Sequence, residues 1–274
     1  MFITKGYLAF MDHSITEQLI GDSTAWHTTA IALSEGDEVS QLALSISKKI
    51  NPKNPILKKW SAGRGQRKKK YRTSFARELI QQLPNSSVYI FVISATEEVI
   101  VNSRDQILDE LRISHLCKEE LRGRGTPWFR AGPFKHFKTG EEHYFEFPLN
   151  RALMLLWISN FVSRMHSMLH TQLELSETSK VILDWFFHLD KFAGDSKDSS
   201  PSIPFFQTIV TGNINNGNIR SGFFNESDTV NADLFSDNVA GLFNDFQKSP
   251  SDYSDLNQIF ESGSIHYEAT QPTA

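Results

Sequence analysis

The segment Val88–Ala95, with the sequence VYIFVISA, constrains the fold of this chain more than any other stretch. It is an uncharged run of β-branched, aromatic and small residues, which is typical of a strand buried on both faces. Segments with helical apolar spacing and further strand-like segments lie before and after it along the chain. The pattern therefore predicts an α/β protein in which helices flank a sheet.

Other strands and helices follow from the same kind of periodicity. The predicted strands are Gly6–Met11, Ala25–Leu33, Val181–His188 and a weak one at Ile219–Asn225. The predicted helices are Glu38–Ile50, Ser74–Leu83, Arg104–Arg112, Leu149–Leu173 and Asn231–Phe246. The middle of Lys48–Arg72 and the stretch Arg122–Phe137 are predicted to be loops, because prolines and glycines interrupt them. We expect one domain over residues 1–260, with a basic insertion at about 48–72 and a flexible tail at 261–274.

The cysteine content and the apolar runs limit the class of protein. The only cysteine, Cys117, excludes an internal disulfide, which fits a reducing compartment. The longest apolar stretches are much shorter than the ~20 residues that span a bilayer. The first residues also lack the basic and then apolar pattern of a signal peptide. We therefore expect a cytoplasmic protein without a membrane partner.

Charge is distributed very unevenly along a chain whose net charge is only −4. From Lys48 to Arg72 there are eleven Lys or Arg residues and no acidic residue, whereas the chain from Leu183 onward holds thirteen acidic residues and four basic ones. Lysine and arginine can neutralise phosphates with release of counterions, and aromatic residues can stack on unpaired bases. The predicted nucleic-acid contacts are Lys58, Lys59, Trp60, Arg64, Arg67, Lys68, Lys69, Lys70, Tyr71 and Arg72. The alternative is a solvated loop without a ligand, or a localisation tract.

Three aspartates occupy positions where a carboxylate is costly to bury. Asp12 closes the first predicted strand, Asp184 lies inside a late apolar strand, and Asp237 lies on the last predicted helix. If they meet at one end of a sheet, they could hold two Mg²⁺ ions that activate water against a phosphodiester. Taken one at a time, each also fits a turn residue or a helix-surface acid.

Short motifs at the two ends of the chain resemble a prokaryotic protein family of unknown function that has the ribonuclease H-like fold. The opening AFMDHS is similar to the family's strand that runs into Asp-Glu-Ser, with His13 in place of the glutamate. The closing GFFNESDTVNADLFSDNVAG is similar to its final Ser and Ala-Asp helix, with Ser236 in place of the usual alanine. The VILDWFFHLD stretch places Asp184 where the family has an aspartate after its long central helix.

The resemblance implies a ribonuclease H-like mixed sheet and a metal-dependent nuclease acting on DNA or RNA, in a prokaryotic defence or mobile-element setting. Asp12, Asp184 and Asp237 would be the catalytic ligands of Mg²⁺ or Mn²⁺. Ser14, Ser227 and Asp233 would orient the ligands or contact the substrate backbone.

Two other functions stay open at this point. The chain could be a nucleic-acid-binding or assembly protein that kept the fold without the active site, which the change at His13 would fit. It could also be an unrelated α/β enzyme for a small phosphorylated substrate. The sequence leaves open whether the partner is nucleic acid alone, a second copy of the chain or another protein.

Overall fold

The computed structural model describes residues 4–15, 25–135, 140–172, 180–187, 205–206, 208–210, 219–220, 226–260 and 264–270. The chain forms two compact units. Unit 1 comprises Met1–Glu97, Thr178–His188 and Arg220–Ala274, and unit 2 comprises Glu98–Glu177 and Leu189–Ile219. The protein is mixed α/β, as predicted, and its helices flank two sheets rather than the one sheet that was expected. A single domain over residues 1–260 stays a prediction.

The regular elements are numbered in chain order. The strands are β1 (Thr4–Ile15), β2 (Trp26–Ser34), β3 (Tyr89–Thr96), β4 (Cys117–Arg122), β5 (Thr126–Lys135), β6 (Glu142–Pro148), β7 (Lys180–Phe187), β8 (Ile219–Arg220) and β9 (Ile265–Thr270). The helices are α1 (Glu38–Ile50), α2 (Gly65–Gln82), α3 (Glu97–Asn102), α4 (Arg104–Glu110), α5 (Leu149–Gln172), α6 (Glu226–Lys248) and α7 (Asn257–Phe260).

The six-stranded sheet has the order β8-β7-β1-β2-β3-β9. Strands β1, β2 and β3 form an antiparallel meander, while β7 pairs in parallel with β1 and β9 pairs in parallel with β3. The strands predicted in these regions are confirmed, and β8 falls at the start of the predicted strand Ile219–Asn225, whose residues 221–225 lie outside the described part of the chain. The prediction of a flexible tail is wrong for 265–270, because these residues form a strand beside β3.

Helices α1, α2 and α6 pack on one face of this sheet. Their apolar side chains form a buried cluster with Phe10, Ala30 and Val92, which come from the three meander strands. Residues on the other face of the same strands, such as Ile31 and Phe91, are buried as well. The burial of β3 on both faces confirms what its apolar sequence indicated.

Helix α2 begins nine residues before the helix predicted from Ser74. The predicted loop ends at Arg64, and the residues from Gly65 onward are helical. Arginine, lysine and glutamine have long unbranched side chains that lose little freedom in a helix, so the basic run favours helix once the glycines are passed. Phe75 and Leu79 then fix the helix by burial in the core.

In unit 2, β4, β5 and β6 form an antiparallel sheet. The prediction of a loop over Arg122–Phe137 is therefore wrong for most of that stretch. Gly123 and Gly125 have positive φ angles and form the turn of a hairpin, and Phe129 and Ala131 are buried at alternate positions of β5. Helix α5 confirms the long helix predicted from Leu149. Within the described part of the chain, no helix combines the length and the apolar character needed to cross a bilayer.

Candidate functional site

Asp12 lies in β1 opposite Ala30 of β2, and its side chain is only 8% exposed. Its Oδ1 accepts a hydrogen bond from the backbone N–H of His13, with 2.6 Å between the two atoms. Helix α6 crosses the same strand, since the Ser236 hydroxyl donates to the Phe10 carbonyl at 2.9 Å. Side chains alternate along a strand, so Asp12 shares its face with Phe10, which belongs to the core beneath the helices.

Asp184 lies in β7, the parallel neighbour of β1. Its Cα is opposite that of Leu8, whereas Asp12 lies four residues farther along β1. At ~3.3 Å per residue this offset is roughly 13 Å along the strands, compared with ~4 Å between two metal ions in a shared site. The strands that carry the two acids are adjacent, but the backbone register does not place the two residues side by side.

Asp237 lies on α6 one residue after the Ser236 bond to β1. Its Oδ2 accepts a hydrogen bond from the backbone N–H of Trp60, with 2.6 Å between the atoms. The carboxylate therefore attaches the loop before α2 to α6, across 177 positions of sequence. This contact gives Asp237 a structural role that its spacing in the sequence did not indicate.

The remaining predicted site residues lie on the same two elements. Ser14 is half-buried near the end of β1 and opposite Thr28, Ser227 is in the first turn of α6, and Asp233 is half-buried farther along that helix. Among the side chains that the structure describes, no three His, Cys, Asp or Glu residues lie close enough together to hold a metal ion. Metal binding by Asp12, Asp184 and Asp237 stays a prediction.

Trp60 attaches the basic segment, Lys48–Arg72, to helix α6. This side chain is 4% exposed and packs edge-on against Phe75 of α2. Its indole N–H donates to Asp245 at 3.1 Å, and the guanidinium of Arg72 lies 4.7 Å from the ring centre. The prediction that Trp60 stacks on bases is wrong, because its faces are occupied within the protein.

Arg72 and Tyr71 also make internal contacts. Arg72 forms an ion pair with Asp245 and donates to the Trp60 carbonyl through Nε and Nη2. The Tyr71 hydroxyl accepts from the Lys58 N–H and donates to the Lys58 carbonyl, both at 3.0 Å. Burial raises the pKa of Tyr71 to about 12. These internal contacts of Tyr71 and Arg72 fix the shape of the segment.

Most of the remaining cations of the segment face solvent. Six of the predicted contacts are exposed and a seventh, Lys68, is half-exposed. We refer to the exposed six as the basic surface: Lys58, Lys59, Arg64, Arg67, Lys69 and Lys70. They lie on the loop before α2 and on its first two turns.

The start of α2 adds to the positive potential of this surface. The first turn contains no acidic residue, and the N-cap residue Arg64 makes no capping hydrogen bond through its side chain. The N-terminal end of a helix carries a partial positive charge, so the cations there repel it and an anion relieves that repulsion. Gly63 and Gly65 both have positive φ angles, which lets the backbone turn tightly into the helix.

The arginines of the β4–β5 hairpin differ from those of the basic surface. Arg122 forms ion pairs with Glu120 and Glu146, and its guanidinium lies 4.9 Å from the centre of the Trp128 ring. Arg130 pairs with Glu146 at 3.6 Å. Because carboxylates neutralise these cations, the hairpin offers a phosphate much less charge than its sequence indicates.

A buried histidine pair is the site feature that sequence reasoning missed. His13 Nδ1 is 2.8 Å from the Thr29 hydroxyl, and His13 Nε2 is 3.2 Å from His27 Nδ1. His27 Nε2 is buried without a hydrogen-bond partner, and burial lowers the pKa of His27 to about 4. The histidine and threonines within the otherwise apolar strand Ala25–Leu33 were the sequence feature that could have indicated this pair. His13 faces away from Asp12 and into this cluster.

Comparison of the chain with protein-family models, with curated proteins and with solved structures gave no match.

Proposed function

We propose that this protein binds nucleic acid through its basic surface. The observation that carries the proposal is the concentration of six exposed cations on one loop and helix start, with Trp60 buried and fixing the loop beneath them. Cations that neutralise phosphates give affinity that does not depend on nucleotide sequence. A loop that is fixed before binding loses less conformational entropy on binding than a free one.

The salt dependence of binding tests this proposal. For duplex DNA, the slope of log K against log salt changes by about 0.9 for each phosphate contact that is removed. We expect a variant with Arg64, Arg67, Lys69 and Lys70 all changed to Gln to bind at least tenfold more weakly near physiological salt, with a shallower slope. Fluorescence anisotropy with labelled DNA and RNA measures both quantities.

The matched control changes Lys118 and Lys248 to Gln. Both are exposed lysines outside the basic surface, so the binding constant and the slope are expected to stay close to those of the unchanged protein. Binding that depends little on salt, or an equal loss in the control, would contradict the proposal.

Metal-dependent cleavage of a phosphodiester is the second candidate function. It is supported by the three elements that carry the aspartates, because β7 pairs directly with β1 and α6 packs on β1. This arrangement also supports a ribonuclease H-like fold, with Asp12, Asp184 and Asp237 as the acids. Carboxylate oxygens are the ligands that Mg²⁺ prefers, and Mn²⁺ takes similar ones. A prokaryotic defence setting and a cytoplasmic location are proposed on the resemblance and the composition alone.

A further inference from the structure

A cleft of about 290 Å³ lies beside the basic surface, wholly within unit 1. It is formed by the end of α1, the loop that follows it and the first half of α2. The residues that line it are Ser47, Ile50, Asn51, Ile56, Leu57, Lys58, Arg67, Lys70, Tyr71 and Ser74. This volume is close to the lower end of the ~300–1,000 Å³ that is usual for ligand pockets.

The cleft combines positive charge with an apolar wall. Lys58, Arg67 and Lys70 belong to the basic surface, whereas Ile50 and Ile56 supply aliphatic carbon. The Ile56 side chain is 48% exposed, so its aliphatic carbon is accessible to a ligand in the cleft. A ligand that fits both parts has an anionic group and a flat or apolar body.

The walls of the cleft are held by hydrogen bonds to buried or distant groups. The Ser47 hydroxyl donates to the Pro55 carbonyl at 2.7 Å, and the Leu57 N–H donates to Asn231 of α6 at 3.0 Å. The two bonds between the Tyr71 hydroxyl and the Lys58 backbone close the remaining side. The cleft is therefore formed before a ligand arrives, which reduces the entropy lost on binding.

We propose that this cleft receives one unpaired nucleotide, so that the basic surface prefers single-stranded nucleic acid. The inference rests on the proposed function. Phosphates on either side of the nucleotide contact the cations, and the base lies against Ile56 and Ile50. A base inside a duplex is stacked and paired, and removing it costs a few kcal/mol, whereas a single strand offers its bases without that cost.

The test compares a labelled single-stranded 12-mer with a duplex of the same sequence, as DNA and as RNA, by fluorescence anisotropy. We expect the unchanged protein to bind the single strand at least tenfold more tightly. A single strand with abasic sites carries the same phosphates without bases, and it is expected to bind about as weakly as the duplex.

Ser74→Trp fills the cleft without changing its charge. It is expected to bring the affinities for single strand and duplex within threefold of each other, with duplex affinity unchanged. The matched control is Thr73→Trp on the adjacent exposed position of α2, outside the cleft, which keeps the preference. If Ser74→Trp does not fold, as judged by circular dichroism, Ile56→Ser removes the apolar wall at an exposed position and is expected to have the same effect.

The possible outcomes distinguish a failure of the cleft inference from a failure of the proposed function. Equal affinity for single strand and duplex, with steep salt dependence, overturns the cleft inference and leaves the proposed function intact. No binding of either form overturns both proposals. Tight binding of a mononucleotide together with weak binding of the 12-mer overturns the inference, because it assigns the cleft to a free small molecule.

Discussion

His27 shows how a single buried side chain makes stability depend on pH. The side chain is 6% exposed, its Nδ1 contacts His13, and its Nε2 has no hydrogen-bond partner. A proton on both nitrogens of His27 would leave a charge buried beside the imidazole of His13. Burial therefore keeps His27 neutral and lowers its pKa to about 4.

We predict that acid destabilises the fold through His27. An unfolded histidine has a pKa of ~6.5, so between that value and about 4 the unfolded chain binds more protons than the folded one. The contribution to the free energy of unfolding is complete above pH 6.5. As the pH falls from 6.5 toward 4, the free energy of unfolding decreases by about 3 kcal/mol in total. Urea unfolding at several pH values between 7 and 4 measures it.

His27→Gln is expected to remove most of this pH dependence, because glutamine does not titrate. The control is His115→Gln, which changes a histidine exposed on the surface and is expected to keep the dependence of the unchanged protein. The same slope in His27→Gln as in the unchanged protein would contradict the assignment to His27.

Individual residues also show which parts of the candidate site could be predicted. Asp12 was expected at the end of the first strand, but the strand continues to Ile15 and Asp12 is buried within it. The direction of Trp60 could not be predicted, because it depends on partners about 180 residues away on α6. An aromatic residue within a basic run has the same local pattern whether it faces a ligand or the core.

At the scale of elements, the contact between the basic segment and α6 depends on Gly241. A Cβ built on this glycine would lie 2.2 Å from the Trp60 ring. The indole therefore lies directly over the helix backbone, and Asp237 and Asp245 on the same helix bind its amide and its ring N–H.

We predict that Gly241→Ala destabilises the protein by about 1–3 kcal/mol, because the added methyl group overpacks the site against Trp60. The expected sign is diagnostic, since the same change inside an unobstructed helix stabilises it by about 1 kcal/mol. Chemical unfolding measures the difference. In a Trp60→Gly background both the indole and the Cβ that would lie 2.7 Å from the added methyl group are gone, so the added Gly241→Ala is expected to be neutral or stabilising. An equal destabilisation in both backgrounds would show that the two residues do not interact.

The elements themselves were largely predictable where apolar residues extend over a long stretch of sequence. Helix α5 and strand β3 are in this class, because each has a long run of apolar residues. Strand β9 was missed because its sequence is short, and the β4–β5 hairpin was missed because glycines and prolines interrupt it. In both, pairing with a neighbouring strand decides the structure. The start of α2 was missed because prolines and glycines before it concealed a helix-forming run.

At the scale of the whole molecule, a nucleic-acid cleavage assay tests whether Asp12, Asp184 and Asp237 act together in one active site. If the second candidate function holds, the protein cuts DNA or RNA with Mg²⁺ or Mn²⁺, and Asp12→Asn lowers the rate at least a hundredfold. Gel analysis of labelled single-stranded and duplex substrates measures it. Asp252→Asn changes an exposed aspartate elsewhere and is expected to leave the rate unchanged. Retained binding without cleavage would reject the nuclease and keep the binding function.

The attachment of Trp60 to α6 has a thermodynamic consequence for the folded chain. Trp60 lies in the loop that carries part of the basic surface, and the acceptors of its backbone N–H and its indole N–H are both on α6. The loop therefore keeps this shape while α6 is docked on β1 and β2. A polyanion that binds this loop in its folded shape therefore also favours the docked helix. Ligand binding and the folding of unit 1 are linked equilibria. Binding raises the free energy of unfolding of unit 1, and a more stable docked helix strengthens binding.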